Sequence, residues 1–407
     1  MTEMAFPSGI STSRSALRYS LNEKIDLCRG IFAFLVVSSH AMEMAWALDP
    51  AGSRVLQPWF HDFLTYVTGT GLYYVMGFFV ISGYCIQLSV ARLARGGFFP
   101  LKTYMMARLT RILPLYYLAL LATVMIEHAV AASRAPVWSN GLSRSVVFGQ
   151  ILVIQNFTQT YGSFAPSWSI TNEVIYYVMF GVLAALLART HVRPATLGMV
   201  VCIAVGAVTQ LLYRSGYRSS MILSTGLLFG LGFNWFLGAL VAVHVDRLVR
   251  IPVVCLASRF WGLLLALTMV LWLSQRVHLE FVYLGAGIAF TLLLVRLLVV
   301  DARCDPETGR EPGPFPVLLG LASYPTYLFH GPILLLVGSA IKNWSAASPW
   351  WLVWLVGTSV AISSGVILGY LAERPIMAWR AGYLKRLKQS RMVPAHGGVA
   401  PILGIQQ

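Results

Sequence analysis

The chain has 407 residues, of which 57% are hydrophobic and only 11% are charged, and its mean hydropathy is +0.70. Soluble globular domains carry roughly 25% charged residues, so this composition excludes a soluble globular protein. The 30 basic and 15 acidic side chains leave a formal net charge of +15. In so apolar a chain we expect these cations on the loops of a membrane protein, and no nucleic-acid partner is predicted.

Ten apolar windows follow one another along the chain, each near the roughly 20 residues that cross a ~30 Å hydrocarbon core. They predict an all-α polytopic bundle of about ten transmembrane helices, at about 25–46, 64–91, 112–133, 172–189, 195–213, 222–245, 256–274, 279–300, 320–341 and 350–371. We therefore expect one membrane domain over 25–372, between an N-terminal tail at 1–24 and a basic C-terminal tail at 373–407.

The distribution of the cations predicts the orientation of this bundle. With the N-terminus in the cytoplasm, 23 of the 30 Lys and Arg residues fall on cytoplasmic segments and 7 fall outside. Cytoplasmic loops are enriched in Lys and Arg, and an even number of crossings returns the chain to its starting side. Both termini are therefore predicted to be cytoplasmic. The five cysteines are scattered singly without metal-ligand spacing, so they are predicted to be buried thiols, and no metal site is expected.

The first predicted helix carries Arg29 and His40, eleven residues apart. At about 1.5 Å and 100° per residue, His40 lies roughly 16 Å above Arg29 on nearly the same face. We expect Arg29 at the cytoplasmic rim and His40 near mid-membrane. Imidazole is suited to accepting a proton from an alcohol. A buried histidine held by a neighbour such as Glu43 is the structural alternative.

Arg108 and Arg111 precede the apolar part of the third predicted helix, in the pattern Arg-x-x-Arg. Residues three apart share a helix face, so the two guanidiniums can form a paired clamp for phosphate oxygens. Taken alone, the pair is better explained by ordinary cytoplasmic anchoring. A phosphate-bearing cytoplasmic ligand is favoured only when the pair is considered together with His40.

Trp168, Asn172 and Glu173 lie at the predicted outer mouth of the fourth helix. One interpretation is a sugar platform, in which the indole stacks on a pyranose ring and the two polar side chains accept hydrogen bonds from hydroxyls. A carboxylate in a first helical turn is also favoured by the helix dipole, and Trp is common at membrane interfaces.

Tyr327 and His330 lie in the ninth predicted helix and form a narrow polar stripe with Ser323. Polar groups inside a membrane span are costly, so each is a functional candidate. The stripe either lines the same cavity as His40 or serves hydrogen-bonded packing.

These motifs, taken in order, resemble the bacterial acyltransferase family 3, integral membrane proteins that O-acylate carbohydrates and some other extracytoplasmic acceptors. The resemblance runs from about Leu21 to Trp379 and rests on these stretches: Arg29 with His40, Arg108 with Arg111, Gly77 to Gly83, Trp168 with Glu173, Ser323 to His330, and Glu373 to Pro375. Departures are modest. Asn172 and Val174 flank Glu173 where the family often has a second acidic and a polar residue, and Pro325 replaces a commoner serine.

The resemblance implies an acyltransferase of the bacterial cytoplasmic (inner) membrane. It implies acyl-CoA, usually acetyl-CoA, as a cytoplasmic co-substrate, no permanently bound cofactor, and transfer to a hydroxyl of an extracytoplasmic or lipid-linked carbohydrate. The acceptor, the acyl chain and the oligomeric state stay open.

The expected roles follow from this implied reaction. The groups expected to hold the CoA phosphates are Arg29, Arg108 and Arg111. The groups expected to act in catalysis are His40, Glu173 and His330. The groups expected to bind substrate are Trp168, Asn172 and Tyr327. His40 acts as general base or as transient acyl carrier, and His330 with Tyr327 helps to bind the thioester or to stabilise the oxyanion. Two other hypotheses are a proton-coupled transporter or flippase and a non-enzymatic membrane subunit.

Overall fold

In a computed structural model the described residues are 13–49, 57–94, 97–130, 141, 143–274, 279–302 and 313–389, and over these the chain is helical with no strand. The α-helices are α1 (Ser13–Leu48), α2 (Pro58–Thr68), α3 (Gly71–Leu93), α4 (Leu101–Val130), α5 (Arg144–Leu152), α6 (Trp168–Leu186), α7 (Pro194–Arg214), α8 (Ser220–Leu248), α9 (Pro252–Ala257), α10 (Trp261–Ser274), α11 (Leu279–Asp301), α12 (Pro314–Trp344), α13 (Trp350–Leu368) and α14 (Arg374–Gln389). Short 3₁₀ segments occupy Gly162–Ser167 and Ser258–Phe260, and a π-helix occupies Gly369–Glu373.

Ten helical segments of the described chain are long and apolar enough to cross a membrane. Each of the ten predicted windows overlaps one of them, so the all-α multi-pass architecture is confirmed. The cytoplasmic placement of the termini and the boundaries of the two tails stay predictions.

Helix boundaries differ from the prediction at several windows, including the second and the tenth. The second window was expected to begin at 64, but α2 ends at Thr68 and the crossing helix α3 begins at Gly71. The tenth was expected to end at 371, but the helix continues through the π-helix into α14. The polar sequence of α14 lowers the hydropathy without interrupting the helix, since one of its faces packs against the bundle.

The bundle is organised around α12, the most enclosed of the ten segments. α12 packs along α1, α13 and α4, while α3 packs against α8. The α3 and α8 backbones approach closely because each helix has a glycine at the crossing: Gly83 faces the carbonyl oxygen of Trp235, and Gly238 faces that of Val80. Small residues at such crossings allow close packing of membrane helices.

The outer surface carries large apolar side chains that face away from the bundle, among them Leu186, Leu211 and Leu263. Such a surface is typical of helices that contact lipid. The prediction of buried cysteines is correct for Cys202 but wrong for Cys85, which is exposed because its face of α3 lines an internal cavity. Cys304 lies outside the described residues.

Candidate active site

A cavity of about 430 Å³ lies between α1, α3, α4, α6, α12 and α14. This volume is in the range of small-molecule sites. Five of the predicted site residues line it, and they come from four different helices: Arg29, Arg108, Arg111, Glu173 and Tyr327. The fold therefore brings together residues that are up to 298 positions apart in the sequence.

One part of the cavity wall is basic. Arg29 comes from α1, Arg108 and Arg111 come from successive turns of α4, and Arg380, which the sequence analysis did not single out, comes from α14. Two further helices thus add one arginine each to the predicted pair of Arg108 and Arg111 on α4. Several guanidiniums converging on one space favour an anionic ligand, and their geometry suits phosphate.

Two of these arginines already have a carboxylate partner. Arg111 donates to Glu373, which is almost fully buried at the end of the π-helix, and the guanidinium of Arg111 also lies 5.2 Å from the ring centre of Tyr324. Arg29 lies 3.5 Å from the carboxylate of Asp26, one turn earlier in α1. These partners fix the direction of both side chains into the cavity wall.

Arg108 is held by uncharged groups instead. Its Nη2 donates to the hydroxyl of Ser89 at 2.5 Å, and its guanidinium lies 5.5 Å from the ring centre of Tyr104. Its Nε is buried and has no partner among the described residues. Arg108 therefore has no carboxylate partner within the described residues, and its charge is left for a ligand.

Glu173 lines the same cavity and is held by hydroxyl groups. Its Oε1 accepts a hydrogen bond from Ser82 at 2.7 Å and another from the Tyr177 hydroxyl one turn on. Ser82 in turn accepts from the indole Nε1 of Trp235 at 3.2 Å. This network orients one carboxylate oxygen and leaves the other for a ligand group.

His40 and His330 form a direct pair. Nε2 of His330 lies 3.2 Å from Nδ1 of His40, and the ring centres are 5.0 Å apart. His330 is fully buried, whereas His40 keeps part of its surface exposed. The sequence left two alternatives for the polar stripe of the ninth helix, a cavity shared with His40 or hydrogen-bonded packing. The structure places His330 against His40, and neither imidazole is among the residues that line the 430 Å³ cavity.

Contacts with backbone carbonyl oxygens indicate which ring nitrogen of each neutral histidine carries the proton. Nδ1 of His330 lies 2.7 Å from the Tyr327 carbonyl oxygen, which only accepts, so this nitrogen donates and Nε2 carries the lone pair. Nδ1 of His40 lies 3.0 Å from the Val36 carbonyl oxygen and faces that lone pair, so it also donates. In the neutral form of His40 the lone pair therefore resides on Nε2, where it can act as a base or nucleophile.

Tyr327 stands between the cavity and the histidine pair. Its hydroxyl lies 2.5 Å from the Ser169 hydroxyl and donates to the Pro166 carbonyl oxygen at 3.1 Å. Its ring centre is 5.8 Å from that of His330 and 5.9 Å from that of Phe78, which lines the cavity. One wall residue of the basic cavity thus contacts His330, which in turn contacts His40.

Comparison with known sequences decides the family. The acyltransferase family 3, described as an acyltransferase domain, matches residues 22–370. The chain belongs to this family. It is accordingly an acyltransferase, with the helices of a multi-pass membrane protein. No curated protein and no solved structure gives a significant match.

Two of the predicted substrate-binding residues of this acyltransferase lie away from the cavity. Asn172 is fully buried and accepts a hydrogen bond from Asn156, although its neighbour Glu173 faces the cavity. Successive helical residues point about 100° apart, which separates the two side chains. Trp168 is half-buried at the start of α6 and packs against the main hydrophobic core. Their sugar-binding roles stay predictions.

Two residues of the acyltransferase site escaped the sequence analysis as site residues. Glu373 pairs with Arg111 across 262 positions, and Arg380 reaches the cavity from α14. One sequence feature could have identified them. They are seven residues, or two helical turns, apart in a segment that was interpreted as a tail. An amphipathic pattern there indicates a face that packs on the bundle.

Proposed function

We propose that this protein is a membrane O-acyltransferase that moves an acyl group, with acetyl expected, from acyl-CoA to a hydroxyl of a carbohydrate. The observation that supports it best is a basic cavity that shares one wall residue, Tyr327, with a pair of contacting histidines. An anionic donor needs the first feature, and ester formation from an alcohol needs the second.

The donor is expected to place its phosphates at the arginines and its thioester near the histidines. Arg29 and His40 lie on the unbroken helix α1, about 16 Å apart along the axis. An extended thioester arm spans this distance through the cavity, past Tyr327. The enclosed apolar walls around Phe78 and Phe79 limit water, which protects the thioester from hydrolysis.

The proposed acyl transfer needs only His40, the acceptor hydroxyl and the thioester. Nε2 of His40 accepts the proton of the acceptor hydroxyl while the hydroxyl oxygen attacks the thioester carbonyl carbon. The C–S bond breaks, and the CoA sulfur leaves and recovers the proton, which gives an ester and free CoA. The same lone pair serves a two-step route in which His40 carries the acyl group. His330 orients His40 in either route.

The acceptor is expected to enter from the opposite side of the membrane. Glu173, which was predicted at the outer mouth of this entry path, instead lines the cavity proposed for the donor, together with Arg108 and Arg111. We place the donor side in the cytoplasm of a bacterial inner membrane, because the predicted cytoplasmic segments carry 23 of the 30 cations.

Acyl transfer by the purified full-length protein tests this proposal. The protein in detergent is supplied with radiolabelled acetyl-CoA and a mixed bacterial glycan acceptor. His40→Ala is expected to lower transfer by about 10²- to 10⁴-fold, the usual contribution of a general base. His191→Ala is the matched control, because His191 is exposed in the connection before α7.

The outcomes separate the proposed reaction from its alternatives. Label in the glycan that is lost only in the His40 variant supports the proposal. Equal transfer by both variants would contradict the role of His40. Binding of acetyl-CoA without transfer to any glycan would contradict a carbohydrate acceptor.

A further inference from the structure

The cavity contains one arginine that lies beyond the segment that identifies the family. Arg380 follows the last matched residue by ten positions and belongs to α14. Its side chain nevertheless lines the cavity together with Arg108. Its side chain reaches the cavity because the tenth membrane helix continues through the π-helix into α14. α14 in turn packs against α4.

Arg380 is fixed in place by a backbone group of α4. Its Nε and Nη2 both donate to the carbonyl oxygen of Ala107, at 3.1 and 2.9 Å. Ala107 directly precedes Arg108, so two guanidiniums flank one turn of α4. A guanidinium has five N–H donors, and two of the five are used here. The other three N–H groups form no hydrogen bond with the described residues, and the side chain lines the cavity.

The ion pairs of the cavity distinguish Arg108 and Arg380 from the other two arginines. Arg29 and Arg111 each face a carboxylate, whereas Arg108 and Arg380 form no ion pair within the described part of the chain. Two neighbouring like charges repel one another, and a shared anion removes that repulsion. Paired guanidiniums bind the tetrahedral oxygens of a phosphate particularly well.

We propose that Arg380 and Arg108 together bind one phosphate group of the acyl donor. This inference rests on the proposed acyl-CoA donor and adds a binding residue that the family motifs do not contain. Arg111, already neutralised by Glu373, then serves to shape the wall beside this phosphate.

Donor binding with and without phosphate tests the inference. Acetyl-CoA and acetyl-pantetheine, which has the thioester arm but no phosphate, are titrated into the detergent-solubilised full-length protein by calorimetry. Arg380→Gln is expected to weaken acetyl-CoA binding about 10- to 100-fold, the effect of one charge-assisted contact, and to leave acetyl-pantetheine unchanged. Arg380→Lys keeps the charge and is expected to lie in between.

The matched control is Arg386→Gln, which removes the same charge from an exposed position of the same helix. It is expected to leave both affinities unchanged. Because the inference is judged by the ratio of two ligands in one protein sample, a lower folded fraction does not imitate the result. A loss shared equally by both ligands would assign Arg380 to packing and overturn its role. A wild type that binds neither ligand would overturn the donor assignment as well.

Discussion

Among the individual side chains, the two histidines have unequal positions and hence unequal roles. His330 is fully enclosed and directs its lone pair at His40, whereas His40 is partly exposed and has its own lone pair on the far nitrogen. In the proposed reaction His40 is accordingly the reacting group, and His330 holds its tautomer and direction. Loss of such support lowers turnover more than it lowers ligand affinity.

Replacement of His330 tests this division. His330→Ala is expected to lower kcat by about 10- to 100-fold, because one buried hydrogen-bond partner of His40 is lost. His330→Gln offers an amide oxygen to Nδ1 of His40 and is expected to recover part of the rate. The affinity for acetyl-CoA, measured by calorimetry, is expected to stay at the wild-type value in both. A raised donor dissociation constant with unchanged kcat would contradict the role.

The sequence predicted part of this site because part of it is encoded locally. Helical spacing related Arg29 to His40 and Arg108 to Arg111, and five of the nine predicted residues line one cavity. The pairing of His40 with His330 spans 290 positions and was left as one of two possibilities. No site role was predicted for Glu373 or Arg380, because their contacts depend on where α14 and the preceding π-helix pack, which no local pattern specifies.

At the level of helices, the crossing of α3 and α8 sets the positions of several cavity residues. Gly83 and Gly238 let the two backbones touch, and Ser82 next to Gly83 donates to Glu173 while accepting from Trp235 of α8. A wider crossing would displace Ser82 and with it the carboxylate. Packing of the helices and orientation of the site are therefore coupled.

Adding a methyl group where α3 crosses α8 tests how closely these two helices pack. The Cβ of Gly238→Ala would overlap the carbonyl oxygen of Val80, so the helices must separate, with an expected loss of about 1–3 kcal/mol in stability. Gly230→Ala in the same helix meets nothing within 4 Å and is expected to be neutral or slightly stabilising. Thermal unfolding in detergent compares the two. Equal midpoints would contradict the tight crossing.

The number and order of the membrane helices followed from hydropathy, whereas their ends did not. The fourth segment starts at Gly162 and not near 172, because Ser163, Ser167 and Ser169 lower the apparent hydropathy of a stretch that the fold buries. Burial of polar side chains depends on neighbouring helices such as α12. A window of sequence alone does not contain that information.

For the whole molecule, the cavity is expected to open toward the side that holds both termini. α14, the last described helix, supplies part of its wall, and the predicted cytoplasmic segments hold most of the cations. Cys85 lines this cavity and offers a reporter of access.

Labelling of Cys85 tests the orientation. A variant that retains only Cys85 is exposed to a membrane-impermeant maleimide in inside-out and right-side-out vesicles. Reaction is expected only in inside-out vesicles, and acetyl-CoA at ten times its dissociation constant is expected to slow it about tenfold. A variant that retains only Cys202, which is buried, is the control. Reaction only from the outer face would contradict the cytoplasmic cavity.

The continuity of α1 has a consequence for which donors are accepted. Since Arg29 and His40 belong to one helix without a break, the about 16 Å between them does not adjust to the ligand. In the proposed reaction this helix therefore acts as a spacer of fixed length between the phosphates and the thioester of the donor. We expect it to select thioesters by the length of the arm that joins these two groups.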